Sequence, residues 1–212
     1  MSETEFEGVL HTPWSGGVSP FAVNSKKLGM WLFIVSDTLT FSALIIAYAY
    51  VRLFTPDWPR PFEIWPAIAK SSLMTFILLS SSLTMVLAVA AAHRGQVKKA
   101  VRLLIATMIC GLAFVAIHAT EWVTLVREGV TPWTNPWNPA VPLFGGAFFG
   151  ITGLHMLHVT IGVVYLAVIC WGFNKGKWTA EHVEVSGLYW HFVDLVWMFI
   201  FPMLYLLSVN PK

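Results

Sequence analysis

The chain has 212 residues, of which 57% are hydrophobic and 11% charged, and its mean hydropathy is +0.68. A soluble domain carries about 25% charged residues, so this composition excludes an ordinary soluble globular protein. The formal net charge of +2 is too small to indicate a nucleic-acid-binding protein, and we expect no nucleic-acid partner. The composition therefore predicts a membrane protein.

Five apolar stretches are each long enough to cross the hydrocarbon core of a bilayer, which requires roughly 20 residues of helix. Residues 1–25 are predicted to be a polar tail without the basic start of a cleavable signal, and residues 26–210 to be one transmembrane domain. The sequence predicts an all-α membrane protein, a bundle of five helices with spans at about 28–51, 71–92, 101–126, 143–171 and 187–207.

The basic residues are divided unequally between the two predicted sides of the bundle. One side has eight: Lys26, Lys27, Arg94, Lys98, Lys99, Arg102, Lys175 and Lys177. The other side has five: Arg52, Arg60, Lys70, Arg127 and Lys212. Because the cytoplasmic side of a membrane protein carries the excess of Lys and Arg, the N-terminus is predicted inside and the C-terminus outside.

Asp37 is an ionisable residue in the middle of the first predicted span. It follows Lys27 by ten residues, which places it about 15 Å into the membrane at the helical rise. It is expected to be the most isolated charge in the chain, and such a carboxyl must be protonated, paired or hydrated. Two interpretations stay open: a proton-handling carboxyl, or one that is hydrogen-bonded to a neighbouring helix for packing alone.

Six other ionisable side chains in the spans form three pairs, and the members of each pair are three residues apart on one helix face. The pairs are His118 and Glu121, His155 and His158, and His191 and Asp194. Two histidines supply too few ligands for a typical metal site, so we favour contacts between helices or with lipid over a metal or a haem. Helical rise places His118 and Glu121 near the outer end of the third span, and His158, His191 and Asp194 nearer the inner side, which predicts two separate polar clusters.

Two motifs resemble subunit III of the haem–copper oxidases: GLHMLHVTIG at 153–162 and YWHFVDLVWMFIF at 189–201. The segment WLFIVSDTLTFSA at 31–43 resembles the family helix that carries a buried carboxylate, with Asp37 at the carbodiimide-reactive position. Glu121 and Trp122 are similar to a Glu-Tyr pair of the family. The resemblance covers about residues 26–208, and the number of spans is that of the short, five-helix bacterial form.

The resemblance implies the function of the chain as part of an enzyme complex, a cytochrome c or quinol oxidase that reduces oxygen to water in aerobic respiration and translocates protons. This subunit would bind no cofactor, whereas haem and copper would lie in the partner subunits I and II. It would contact subunit I directly, belong to a complex with subunit II and small subunits, support proton uptake and the stability of subunit I, and bind structural phospholipids. The implied location is the bacterial inner membrane, as a multi-pass protein.

Other functions are compatible with the same residues. An accessory subunit of a bacterial nitric oxide reductase would share the five-helix pattern. A small proton-coupled membrane transporter would use Asp37, and a haem-binding membrane anchor would use the histidines. Neither internal repeats nor broken helices are visible in the sequence, and both are typical of many secondary transporters.

Overall fold

The computed structural model describes residues 25–210. Within this range five helices of 29 to 32 residues are long and apolar enough to cross a membrane, which confirms the predicted all-α, five-span fold. Their regular α-helical parts are α1 (Ser25–Phe54), α2 (Ala69–His93), α3 (Val97–Arg127), α4 (Leu143–Asn174) and α5 (Ala180–Ile200). A π-helical turn, Ile64–Ile68, precedes α2, while a second one, Phe201–Tyr205, and a 3-10 turn, Leu206–Ser208, extend α5. The predicted tail lies outside the described residues, apart from Ser25.

Successive helices run in opposite directions, so the bundle has two ends. The Lys27 end is defined by the start of α1, where the Nζ atom of Lys27 lies 2.6 Å from a carboxylate oxygen of Glu184 on α5. The Trp58 end is defined by the loop after α1. Here Arg52 donates to the hydroxyl of Ser208, at 2.9 Å, and to the carbonyl oxygen of Leu207. Polar contacts therefore connect α1 to the α5 segment at both ends of the bundle.

The fifth helix begins at Ala180, seven residues before the predicted start of the fifth span. Thr179 caps this helix. Its side chain accepts a hydrogen bond from the backbone N–H group of His182, and the His182 side chain accepts one from the backbone N–H group of Thr179. Since these contacts satisfy N–H groups that have no partner within the helix, the polar segment before residue 187 is also helical.

Two tryptophans on α5 form much of the core. Trp190 and Trp197 are seven residues apart, so they share one face of the helix, and they are 1% and 0% exposed. The Trp190 indole donates to the Ser81 hydroxyl and the Trp197 indole to the Thr75 hydroxyl, each at 2.9 Å. Both acceptors are on α2. The only polar group of each indole is thus satisfied, and α2 is fixed against α5.

Helix α1 packs against the rest of the bundle along a narrow strip. Of its residues, Ile34, Phe41 and Tyr48 are buried, and they follow one another at intervals of seven. Such a spacing keeps one line of side chains in contact while most of the helix surface faces outward. Helix α1 is consequently attached through few apolar side chains, and its polar contacts carry more of the attachment.

Candidate functional site

Asp37 on α1 is paired with His158 on α4. The Nε2 atom of His158 lies 3.1 Å from Oδ2 of Asp37, and their side chains are 12% and 14% exposed. The separation is that of an ion pair, although its angle is not that of a hydrogen bond. The expectation that Asp37 is the most isolated charge was wrong, because the pairing partner lies on a helix that is distant in sequence.

The hydrogen bonds of His158 limit where the protons of this pair can be. Its Nδ1 atom lies 2.7 Å from the carbonyl oxygen of Leu154. A carbonyl oxygen only accepts, so Nδ1 carries a hydrogen atom and Nε2 faces Asp37. The contact between Nε2 and Oδ2 is then attractive when one proton is present, either on the imidazole or on the carboxyl group. The pair therefore joins α1 to α4 through a partly buried contact between an imidazole and a carboxyl group.

His118 on α3 and His155 on α4 lie deeper in the bundle. Both are fully buried and pack on the same indole, with ring centroids 5.5 Å and 5.1 Å from that of Trp197. The ring of Phe114 contacts both histidines edge-on. Among residues 25–210 no ring nitrogen of either histidine has a hydrogen-bond partner. Aromatic packing therefore fixes these rings.

The third group connects α2 to α5. The Ser82 hydroxyl donates to Oδ2 of Asp194 at 2.7 Å, and its oxygen lies 3.0 Å from Nδ1 of His191. Because the single hydroxyl hydrogen is used for the carboxylate, Nδ1 of His191 is the donor in the second contact. The three side chains form a short chain, from the imidazole through the hydroxyl group to the carboxylate. Asp194 is 6% exposed.

Glu121 lies near the Trp58 end of α3. The Tyr205 hydroxyl donates to its Oε2 atom at 2.8 Å, and Tyr205 is brought there by the π-helical turn that follows α5. Pro202 is the second residue of this turn, and it lacks the N–H group that a regular helix would use at that position. Glu121 is 8% exposed and lines a cavity of about 400 Å³.

The six predicted polar residues and Asp37 thus form separate groups rather than two clusters. His158 contacts Asp37, whereas His155 packs with His118. The ring of Phe41 contacts both of these histidines, and only their other neighbours differ. The sequence could not reveal this division, since helical rise gives depth along a helix but not which helix lies opposite.

Several residues of these groups were not identified from the sequence. Ser82 belongs to a serine run that indicates close helix packing, and nothing in that run distinguishes the residue that contacts Asp194. Tyr205 lies in an apolar stretch, and its contact with Glu121 requires the turn at Pro202. The Lys27 contact with Glu184 is suggested by opposite charges at one predicted membrane surface.

Two apolar grooves flank α1. One, of about 270 Å³, lies between Tyr48 and Ile151, and the other, of about 220 Å³, between Phe41 and Phe199. Both are lined almost entirely by carbon atoms of α1 and of α4 or α5.

These features define a class: a multi-pass helical membrane protein with ionisable side chains paired between its helices. In the part of the chain that the structure describes, no three His, Cys, Asp or Glu side chains are arranged to hold a metal ion. The family model for cytochrome c oxidase subunit III matches residues 9–209, and the chain belongs to this family. The resemblance found in the sequence is thereby confirmed.

The chain is similar over most of its length to individual members of the family. It is 34% identical to the quinol oxidase subunit 3 of Bacillus subtilis, over 86% of this chain and 87% of that protein. It is 32% identical to the cytochrome c oxidase subunit 3 of Alkalihalophilus pseudofirmus, over 88% of each. The cytochrome bo(3) ubiquinol oxidase subunit 3 of Pseudomonas aeruginosa is 30% identical, over 93% of this chain and 89% of that protein. These relatives are subunits of terminal oxidases.

Proposed function

We propose that this chain is the cofactor-free subunit III of a haem–copper terminal oxidase that reduces oxygen to water and pumps protons in aerobic respiration. It contacts subunit I directly and is assembled with subunit II and small subunits. Subunits I and II hold the haem and copper centres. The family membership and the oxidase relatives support this function over a nitric oxide reductase or a transporter.

Within that complex, the chain supports proton uptake and the stability of subunit I. The observation that carries this part of the proposal is the partly buried pair of Asp37 and His158, 3.1 Å apart, in which one proton can belong to either side chain. A pair of this kind exchanges a proton without exposing an isolated charge to the apolar interior. Asp37 is accordingly the proton-handling residue of the proposal.

Structural phospholipids occupy the two grooves beside α1. The support is the apolar lining of the grooves and the narrow attachment of α1, which leaves space on both sides of its buried strip. The buried polar residues Glu121, His118, His155, His158, His191 and Asp194 serve contacts between helices or with lipid.

Affinity purification from the source membrane tests the assignment to an oxidase. A tagged chain should bring down a haem-bearing subunit I, and the complex should have the absorption spectrum of a haem–copper oxidase and consume oxygen. Recovery of the chain without a haem protein, or with a reductase that converts nitric oxide, would refute the proposal.

Substitution of the carboxyl group tests the proton-handling role. Asp37→Asn keeps the side-chain shape and should leave assembly intact, but lower the rate of proton uptake or shorten the active lifetime during turnover. Asp57→Asn, in the exposed loop after α1, is the matched control. Equal proton uptake and lifetime in both variants would reduce Asp37 to a packing residue.

The proposed location is the bacterial inner membrane, with the N-terminus inside. The excess of basic residues at the Lys27 end supports this orientation. Single cysteines at Gln96 and Glu128, in a variant with Cys110 and Cys170 replaced by alanine, lie at opposite ends of the bundle. In intact cells, an impermeant thiol reagent should label position 128 and not position 96, and the reverse pattern would contradict the orientation.

A further inference from the structure

A cavity of about 400 Å³ opens at the Trp58 end of the bundle, between the start of α2 and the end of α3. Four charged residues line it: Glu63, Lys70, Glu121 and Glu128. The indole of Trp137 forms part of its wall. Such a volume is that of a small-molecule site rather than of a packing defect.

Glu121 is the buried member of this set. Its residue exposure is 8%, and the Tyr205 hydroxyl satisfies Oε2. Its Oε1 atom has no hydrogen-bond donor among residues 25–210. An acceptor of this kind is costly to bury, because it has lost its water contacts without a replacement. A ligand in the cavity with an N–H group would supply the missing donor.

The arrangement of charges narrows the class of ligand. In the described part of the chain no three carboxylates or histidines converge closely enough to hold a metal ion, and the volume exceeds that of a bare cation. The carboxylates suit an organic ammonium group, and the ammonium of Lys70 suits a phosphate next to it. A quaternary ammonium has no N–H group for Oε1 of Glu121, whereas a primary ammonium has three.

The level of the cavity along the bundle indicates where such a ligand is found. Trp65, Trp133 and Trp137 are exposed at the same end of the bundle, at 78%, 82% and 40%. Exposed tryptophans at helix ends are typical of the membrane–water interface, where lipid headgroups lie. The site is thus accessible to a lipid headgroup and to soluble molecules.

We propose that this cavity binds a phosphoethanolamine group, with its primary ammonium on Glu121 and its phosphate on Lys70. Trp137 lines the same cavity, and its ring supplies an aromatic face for an ammonium group. The site shares no lining residue with the two grooves beside α1. The proposal is independent of oxygen reduction, because it depends only on residues of the cavity.

The test uses the full chain in its purified complex, in detergent from which lipid has been exchanged. Calorimetric titration with O-phosphoethanolamine is compared with O-phosphocholine, and native mass spectrometry counts the lipids retained from bilayers containing phosphatidylethanolamine or phosphatidylcholine. We expect at least about tenfold preference for the ethanolamine form, since a charged hydrogen bond is gained. Equal binding of the two forms, or no binding in either assay, would overturn the proposal.

The two assays also separate the sources of the ligand. Retention of phosphatidylethanolamine without binding of the soluble compound identifies a lipid headgroup, and binding of the soluble compound without retained lipid identifies a free metabolite. Either result supports the site. Oxygen consumption in the same samples reports on the oxidase function separately.

Variants connect the binding to the cavity. Glu121→Gln should weaken binding at least about tenfold, because it removes the negative charge that attracts the ammonium. Glu181→Gln, at the Lys27 end, is the matched control and should bind normally. Lys70→Ala changes an exposed residue and should weaken phosphoethanolamine binding without affecting the fold. Unchanged binding in both cavity variants would overturn the assignment.

Discussion

The pair formed by Asp37 and His158 predicts a measurable coupling energy between α1 and α4. At an effective dielectric constant of about 20, unit charges at the observed separation attract by roughly 5 kcal/mol. The separation is 3.1 Å. Desolvation offsets most of this attraction, and polar pairs between membrane helices contribute at most about 1.7 kcal/mol. We therefore expect a coupling energy between about 0.6 and 1.7 kcal/mol.

A double-mutant cycle measures this coupling. Asp37→Asn, His158→Gln and the double variant are unfolded with sodium dodecyl sulfate in mixed micelles, and the loss of helix is followed by circular dichroism. Each single change should lower the free energy of unfolding by about 1–3 kcal/mol, because it leaves a buried polar partner unmatched. The loss in free energy of unfolding of the double variant should be smaller than the sum of the losses of the two single variants.

Asp57→Asn is the control for the chemical change alone, since Asp57 is exposed and the same atoms are altered. It should shift the free energy of unfolding by no more than about 0.5 kcal/mol. A coupling energy within about 0.5 kcal/mol of zero would mean that the two side chains are merely adjacent, and the reasoning from their distance would fail.

Three further predictions concern the packing of the bundle. Gly111→Ala places a Cβ atom 2.5 Å from an indole carbon of α5 and should lower the free energy of unfolding by about 1–3 kcal/mol. The added Cβ atom of Gly150→Ala meets nothing within 4 Å, so this control variant should be neutral or stabilising. Equal changes in the free energy of unfolding would contradict the packing. Arg52→Ala removes hydrogen bonds to Ser208 and Leu207, so backbone amides at the end of α1 should exchange hydrogen faster than in the control Arg60→Ala. Identical exchange rates would show that the Arg52 contacts do not stabilise this end of α1. Glu184→Gln removes the partly exposed ion pair with Lys27 and should lower the free energy of unfolding by less than about 1 kcal/mol at low salt. This difference should vanish at high salt. A loss of stability that does not depend on salt would refute the electrostatic interpretation.

The sequence predicted the number of spans well, because an apolar stretch of this length has few alternatives to a membrane helix. It did not predict the start of α5, since the capping contacts of Thr179 and His182 extend a helix through polar residues. Hydropathy reports which residues are apolar, and helix capping depends on particular side chains and on backbone geometry.

The candidate site was predictable only as a set of unusual residues. Each of the seven polar positions is conspicuous because ionisable groups are costly within a span. Their partners were not predictable: Asp37 and His158 are far apart in sequence, and their contact depends on how α1 lies against α4. Ser82 and Tyr205 have no such signal, since a hydroxyl group in an apolar stretch is common and the identity of its partner is decided by tertiary packing.

The pairing of Asp37 has a consequence for how the protein is made. His158 follows Asp37 by 121 residues (158 − 37), so α1 leaves the ribosome long before its partner exists. At about 5–20 residues per second, the delay is on the order of 10 s. During that interval α1 resides in the bilayer with an unmatched carboxyl group, at a cost of roughly 2.5–3.5 kcal/mol that its apolar residues must outweigh. A chain truncated after α3 should therefore insert α1 less completely than the same chain with Asp37→Leu, and equal insertion would refute this order of events.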